Sequence, residues 1–236
     1  MDRTPTDLPL SWHDDGTPIF ERGDFIRQAR PLPPSQEEPS VIYDELMLPE
    51  HRHLRPELRF NLIVLPASTG EMAQVAWLGR SAPDIKHGYR YPRLLQALDS
   101  SCTILLQRWT EPGKVTDFIK LSMQPLHLAA VPSNYEVILV NSSQHSPARF
   151  VEIQAKEEVR DTENLETLAG SGYLIKSDGG FLPNQNYDEL PVPRIKPGLD
   201  GFRFLQARPL YMMLTSYPKG FDFIDPPRPE FFIGAV

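Results

Sequence analysis

Cysteine is almost absent from the chain, since Cys102 is the only one among 236 residues. A single cysteine excludes a disulfide within the chain and a cysteine-rich zinc site. Because Cys102 lies in the apolar run CTILLQ, a buried and inert thiol is favoured over a nucleophile. We therefore expect neither disulfide bonding nor cysteine chemistry.

Excess positive charge and long apolar runs are also missing. The 24 Lys and Arg residues are outnumbered by 31 Asp and Glu, whereas binding to nucleic acid or an anionic membrane needs clustered cations. No run approaches the length of a membrane span, and the opening segment MDRTPTDLPLSW has no apolar signal core. We therefore expect a soluble cytoplasmic protein without nucleic-acid or membrane partners.

Proline, in contrast, is abundant, with 25 residues. It lacks a backbone donor and fixes φ, so its clusters predict extended connectors or sheet edges. The clusters divide the chain into an N-terminal extension with a proline-rich strap, a barrel, and an apolar C-terminal extension that packs on the barrel or on a partner subunit. The predicted boundaries are 1–40, 41–190 and 191–236.

Short apolar segments separated by turn residues occupy the middle of the chain. Eight or so of them at near-regular spacing predict a β-barrel or a double-sheet jelly roll. The runs LLQAL and CTILLQ, on either side of residues 99–101, read as its central hairpin. Asp161–Ala169 predicts a short helix with an acidic first turn and Gly170 at its end. A second short helix is compatible with Ile19–Arg30.

The order and spacing of several motifs between Val41 and Tyr187 resemble the cupin-type phosphoglucose isomerases best known from archaea. The motifs are a strand with Tyr43, a Leu-Pro-x-x-x-Gly-Glu turn from Leu65 to Glu71, Leu105-Leu106-Gln107, Met123-x-Pro125, Val131-Pro132, Val140-Asn141, Gly172 to Ile175, and Asp178-Gly179 leading to Asn184 and Tyr187. The resemblance implies an all-β fold, namely a cupin-type double-stranded β-helix (jelly-roll) barrel. Terminal extensions and one or two short helices would complete it.

The same resemblance implies a metal centre whose ligand positions have changed here. That family holds its metal with a Gly-His-x-His turn, a later Glu, and a final His after a Val-Pro pair. The matching residues are Tyr89 and Tyr91, or Arg80 and Ala82 in the alternative register, then Arg93 and a residue near Val137. A cation in place of a ligand carboxylate opposes metal binding. We therefore expect no metal, no other cofactor, and little interconversion of glucose 6-phosphate and fructose 6-phosphate.

Candidate ligand-binding residues cluster in the loop before the central apolar runs. Lys86, His87, Arg90 and Arg93 would hold a phosphate or carboxylate. Tyr89 and Tyr91 would stack on a sugar or an unsaturated ring and serve as candidate catalytic groups. Because barrel pockets open at the mouth, this loop is a candidate site, and a solvated loop whose tyrosines pack on the tail is the alternative.

Strand residues supply the other candidates. Tyr43, Trp77 and Tyr135 would contact a ligand in the lumen, although aromatic lumen residues also serve as core filling. Glu136 is the best general base, because desolvation on an apolar strand would raise the pKa of its carboxyl group. Alternation lets only one of Glu136 and Val137 face the lumen, and the pattern does not say which.

Two functional hypotheses follow. The first is a metal-independent cupin that binds a small anionic or polyhydroxylated ligand in its barrel, where proton transfer or shape would direct an isomerisation or cyclisation. The alternative is a non-catalytic, degenerate cupin with a structural or regulatory role. Whether the protein is an enzyme stays open at this point.

The tail segment Phe202–Tyr217 is strongly apolar and carries few charges. Exposed to water it would favour aggregation, so it must be covered. Because Pro209 and Pro218 bracket its most apolar part, we predict an added strand that pairs with the barrel across the two-fold axis of a homodimer.

Overall fold

The computed structural model describes residues 11–12, 18–19, 29–34, 40–43, 51–98, 100–202, 205–206 and 208–232. Its strands are β1 Ser11–Trp12, β2 Pro18–Ile19, β3 Ala29–Pro31, β4 Val41–Tyr43, β5 Leu58–Leu65, β6 Gln74–Ala82, β7 Arg93–Ala97, β8 Cys102–Glu111, β9 Lys114–Met123, β10 Leu128–Val131, β11 Glu136–Asn141, β12 Ala148–Ala155, β13 Val159–Asp161, β14 Tyr173–Ile175, β15 Phe181–Pro183, β16 Arg194–Pro197, β17 Gly201–Phe202 and β18 Leu205–Gln206. The α-helices are α1 Glu163–Thr167 and α2 Leu210–Ser216, and the 3-10 helices are Pro218–Phe221 and Pro229–Phe232.

Two six-stranded sheets form the body of the protein. The first has the order β10-β7-β12-β5-β4-β3, and the second has the order β13-β6-β11-β8-β9-β16. Their antiparallel pairs are nested along the chain: β5 with β12, β6 with β11, β7 with β10, and β8 with β9. A long hairpin rolled up in this way is a jelly roll, so the predicted all-β, cupin-type fold is confirmed.

The predicted central hairpin is wrong. Although β7 and β8 follow one another in the chain, β7 belongs to the first sheet and β8 to the second. Each strand turns alternate side chains towards the space between the sheets, so Leu95 of β7 and Ile104 of β8 meet in one core. Two apolar runs on either side of a turn are typical of a hairpin and also of a crossover between facing sheets. The pattern alone does not separate these two structures.

The core between the sheets is aliphatic and follows the period of two expected of strands. On β5, Ile63 and Leu65 face this core, whereas Leu62 and Val64 face the other side of the first sheet. Leu32, from the predicted strap, also packs into the core and is 3% exposed. We call the space between the two sheets the lumen.

The outer faces of both sheets are also apolar, and both are covered. The first sheet packs against Leu210, Leu214 and Phe221 of the tail. The second sheet packs against Leu165 of α1 and Ile175 of β14. Because each sheet is buried on both faces, removing its cover would expose the apolar outer face to water.

The predicted strand in the tail is wrong, because α2 occupies the second half of Phe202–Tyr217. A proline is tolerated at the start of a helix, and Pro209 stands immediately before α2 while Pro218 follows it. The buried residues Leu210, Tyr211 and Leu214 recur at helical spacing. The tail packs on the first sheet of its own chain, and a homodimer stays a prediction.

The predicted helices have different outcomes. Helix α1 lies within the predicted Asp161–Ala169, so that helix is confirmed. Within Ile19–Arg30, Ile19 lies in β2 and the last two residues lie in β3, while residues 20–28 lie outside the described part of the chain. Among the described helices, none is long and apolar enough to cross a membrane.

Candidate functional site

The loop of residues 83–92 is held in shape by one buried carboxylate. Asp84 accepts hydrogen bonds from the backbone N–H groups of Lys86 and Tyr89, both at 2.8 Å, and from the Tyr91 hydroxyl at 3.2 Å. Desolvation raises the pKa of Asp84, but the backbone donors, led by His87, outweigh it and the net shift is downward. An ionised Asp84 therefore fixes the loop at the open end of the jelly roll.

Two adjoining cavities open beside this loop, and together we call them the rim groove. The tyrosine chamber has a volume of about 710 Å³, and its walls include Tyr89, Pro132, Tyr135, Pro227, Pro229 and Phe232. The arginine chamber has a volume of about 510 Å³, and its walls include Arg80, Trp109, Thr110 and Thr116. Arg90, Arg108 and Asn134 line both chambers. No Asp or Glu is among the described residues that line either chamber.

Tyr135 lies between the rim groove and the core that fills the space between the two sheets. Its side chain is 6% exposed, and its hydroxyl donates to Asp117 Oδ2 at 2.6 Å. Burial, followed by this carboxylate, raises the pKa of Tyr135 to about 12. Arg194 of β16 forms an ion pair with the same carboxylate, with Nε at 2.9 Å from Oδ1. The Tyr135 hydroxyl is therefore committed to the protein and stays protonated.

The three arginines of the groove differ in how far the protein already neutralises them. Arg80 is paired with Asp161 at 3.0 Å, and its guanidinium lies 3.8 Å from the Trp109 ring centroid. Arg90 donates to the carbonyl of Ser81. Arg108 is exposed and forms no ion pair within the part of the chain that the structure describes. Arg108 is thus the cation most available to a ligand.

Arg80 owes its position to a bulge at Gly79. Gly79 has φ of 64°, and a Cβ atom there would lie 2.1 Å from the Asp161 carbonyl oxygen. Only glycine tolerates both the left-handed backbone and this close approach. The bulge shifts the alternation of β6, so that Leu78 packs in the lumen while Arg80 reaches Trp109 and Asp161.

The lumen behind the groove contains a buried cluster of opposite charges. Arg93 forms ion pairs with Glu158 and, at 3.6 Å, with Glu152, and Arg160 is paired with Glu152. Asn61 Nδ2 donates to Glu152 at 3.0 Å. Arg93 is 2% exposed and Glu152 is fully buried. We call Arg93, Glu152, Glu158 and Arg160 the lumen ion cluster; it links strands of both sheets.

Burial shifts the ionisation of this cluster. Desolvation raises the pKa of Glu158 to about 7, with Arg93 lowering it and Glu152 raising it further. Desolvation also lowers the pKa of Arg160. Burial, more than the charged neighbours, therefore sets the pKa values of Glu158 and Arg160.

The cluster does not fit the metal that the family resemblance implies. Arg93 stands where that family has a ligand carboxylate, and Val137, near the final histidine position, packs in the inner core. Within the described ranges, no three His, Cys, Asp or Glu side chains come together to hold a metal ion. Glu152 and Glu158 are nearby, but guanidinium groups already bind both carboxylates.

Glu136 faces away from the lumen, and Val137 faces into it. Glu136 is nevertheless 1% exposed, because α1 and the segment that follows it cover this part of the second sheet. It accepts hydrogen bonds from Gln107 and, at 3.2 Å, from Asn164. Burial raises the pKa of Glu136 despite these donors. Glu136 does not line the rim groove.

The other predicted site residues are spread over several surroundings. Tyr89 lines the groove together with Tyr135. Lys86 and His87 are exposed on the loop, and the His87 ring stacks on Tyr89 with a centroid distance of 5.2 Å. Tyr91 is buried against Asp84.

Two further aromatic candidates serve the covered outer faces. Tyr43 packs beneath the tail on the first sheet, and Trp77 packs on the outer face of the second. Neither side chain belongs to the core between the sheets. For these two residues the structure favours core filling over ligand contact.

Sequence reasoning missed Arg108, which lines both chambers. Its signal was an arginine directly after the apolar run CTILLQ, where a strand leaves the core and its next side chains reach the rim. No comparable sequence signal indicated that Pro227 and Phe232 line the tyrosine chamber, because both are distant in the chain from the other lining residues.

Comparisons with known proteins add little to this picture. In sequence, no family model and no curated protein matches the chain. The vicilin of hazelnut (Corylus avellana) is 12% identical with a TM-score of 0.36, over 55% of this chain and 31% of that one. EutQ from Clostridium difficile is 15% identical with a TM-score of 0.28, over 48% and 67%.

A vicilin of Solanum melongena is 8% identical with a TM-score of 0.35, over 59% of this chain and 30% of that one. That protein is described as having different anionic ligands in structurally similar pockets. The chain thus spans less than a third of the length of the vicilins that it matches. Likenesses at this level carry no functional argument, and the jelly roll rests on its own strand order.

Proposed function

We propose that this chain is a jelly-roll binding protein that holds a small organic anion in the rim groove. The observation that carries the proposal is Arg108, a cation that lines both chambers and forms no ion pair within the described part of the chain. Arg90 adds a second cation with a fixed position. Guanidinium groups bind phosphate and carboxylate through paired hydrogen bonds, which gives both affinity and orientation.

The lumen is a poorer binding place than the groove. A ligand there would have to displace aliphatic side chains or separate Arg93 from Glu158. Breaking a buried ion pair leaves an uncompensated charge and costs about 3–5 kcal/mol. A ligand in the groove meets solvent-exposed cations and has no such penalty.

Binding, rather than a reaction, is the activity that these residues support. Of the predicted catalytic residues, only Tyr89 lines the groove. The Tyr91 hydroxyl is engaged by Asp84, and Glu136 is enclosed on another face of the second sheet. A general base must reach the proton that it removes, so these three residues do not form one catalytic centre.

A non-catalytic structural module is the second candidate. It is favoured by the buried side chains between the two sheets, since the apolar core and the lumen ion cluster lie where a barrel ligand would bind. Such a protein would keep its fold and bind no small anion.

Thermal unfolding separates the two candidates. We expect inorganic phosphate or glucose 6-phosphate at millimolar concentration to raise the melting temperature, because a ligand that binds only the folded state stabilises it. Arg108→Gln should abolish the rise, and the matched control Lys86→Gln, on the same rim but outside both chambers, should retain it. The structural module is supported instead if organic and inorganic anions leave the transition unchanged.

A further inference from the structure

The two chambers of the rim groove are lined by different chemistry, and this difference defines a ligand class. The inference rests on the proposed function and makes it more specific. The arginine chamber is cationic, with the hydroxyl groups of Thr110 and Thr116 beside Arg90 and Arg108. The tyrosine chamber is walled mainly by proline and aromatic rings.

Two of the three arginines in the rim groove suit a ligand group that carries two negative charges. Arg80 is neutralised by Asp161. Arg90 and Arg108 line both chambers, and neither forms an ion pair among the residues that the structure describes, although the charge of Arg108 lowers the pKa of the Asp117 carboxyl group. Two guanidinium groups match the charge of a phosphate monoester better than that of a single carboxylate.

Beyond Ser133, the Tyr89 hydroxyl and the three residues shared with the arginine chamber, the tyrosine chamber offers few partners to a polyhydroxylated ligand. The Tyr135 hydroxyl is already donated to Asp117, and much of the remaining wall is Pro132, Pro227 and Phe232. Each sugar hydroxyl that loses water without a new partner weakens binding. A planar ring needs only apolar surface to pack against. Tyr89, which is 43% exposed, and the prolines of the wall provide most of it, and Tyr135 adds the small part of its ring that is not buried.

We propose that the rim groove binds an aromatic phosphate monoester. The phosphate lies between Arg90 and Arg108 in the arginine chamber, and the ring packs between Tyr89 and Tyr135 in the tyrosine chamber. The two chambers share Arg90, Arg108 and Asn134, so one small molecule reaches both.

Isothermal titration of the full chain with three compounds tests the inference. Phenyl phosphate should bind roughly five- to ten-fold more tightly than inorganic phosphate or glucose 6-phosphate, which is the size of an aromatic packing contribution. Tyr89→Ser should remove most of that advantage and leave inorganic phosphate binding unchanged. Arg108→Gln should weaken all three compounds, and the control Lys86→Ser should weaken none.

The outcomes separate this inference from the proposed function. Equal binding of phenyl and inorganic phosphate, or tighter binding of glucose 6-phosphate, overturns the ring-binding chamber while anion binding stands. Phenyl phosphate binding that is insensitive to both Tyr89→Ser and Arg108→Gln overturns the inference and the proposed function together. If none of the three compounds binds, the inference and the proposed function are both overturned.

Discussion

The lumen and the rim groove are neighbouring regions that use arginine in opposite ways. In the lumen, Arg93 is 2% exposed and lies against two carboxylates. At the rim, Arg108 is exposed, forms no ion pair within the described residues, and has an aromatic ring 5.6 Å away. Buried charges have to satisfy each other, whereas an exposed charge keeps its capacity for a ligand. The buried arginine of this jelly roll therefore serves stability, whereas the proposed binding site uses the exposed arginine at its edge.

The largest expected effect is the loss of the central lumen cation. Arg93→Met should lower the free energy of unfolding by about 3–5 kcal/mol, because Glu158 and Glu152 lose a buried partner. The matched change Arg90→Met in the groove should cost no more than about 1 kcal/mol. Urea denaturation followed by circular dichroism measures both. Equal unfolding midpoints for the two variants would erase the distinction between the regions.

The covered outer face of the first sheet should be nearly as sensitive as the lumen. Leu214 of α2 is fully buried in the core beneath the tail, so Leu214→Ala should cost about 2–5 kcal/mol. Met212→Ala, on the half-buried side of the same helix, should cost about 1 kcal/mol or less.

Deleting residues 200–236 should make the protein insoluble. A folded, soluble truncated chain would show that the tail is dispensable.

The pH dependence of stability should come from the lumen rather than from the rim. Burial raises the pKa of Glu158 to about 7, so the folded state keeps a proton that the unfolded chain has already released. This contribution is fully present below the ordinary glutamate pKa and is lost as the pH rises through 7. The stability of the wild type relative to Glu158→Gln should therefore fall between pH 5 and 8, by about 3 kcal/mol at most.

Urea denaturation at several pH values measures this difference. The matched control is Glu111→Gln, which changes an exposed carboxylate at the end of β8 that forms an ion pair with Lys114. It should leave the pH profile of the wild type unchanged. A constant difference between the wild type and Glu158→Gln across this range would contradict a raised pKa for the buried carboxyl group.

The smallest expected effect distinguishes two arginines within the groove. Arg80→Leu should cost about 1 kcal/mol of stability, because it removes a partly exposed ion pair and a cation–π contact with Trp109. Because Asp161 already neutralises Arg80, phenyl phosphate affinity should change less than two-fold by titration. A loss as large as that of Arg108→Gln would show that Arg80 belongs to the anion site.

Much of the fold could be predicted, because its signals are local. Short apolar segments and regular turns indicated a jelly roll, and the family resemblance placed Arg93 and a residue near Val137 at former metal-ligand positions. Other features depend on partners that are distant in the chain. Arg93 meets Glu158 across 65 positions, and no pattern around either residue announces the pair.

The tail shows the same limit in another form. Its composition predicted burial correctly, but Pro209 and Pro218 can bracket a strand or a helix equally well. What the tail covers, and how it shapes the tyrosine chamber through Phe232, depends on the surface of the first sheet. The rim groove is likewise assembled from loops and a distant tail, so only Tyr89, Arg90 and Tyr135 among its residues were anticipated as ligand contacts.

The central claim is that the ligand site lies at the rim and not in the lumen. The crystal structure of the full chain soaked with 4-bromophenyl phosphate, with bromine located by anomalous scattering, tests it directly. The account predicts one bromine peak between Tyr89 and Tyr135, with the phosphate between Arg90 and Arg108. A peak in the lumen beside Arg93, or none in the groove at saturating ligand, would contradict it.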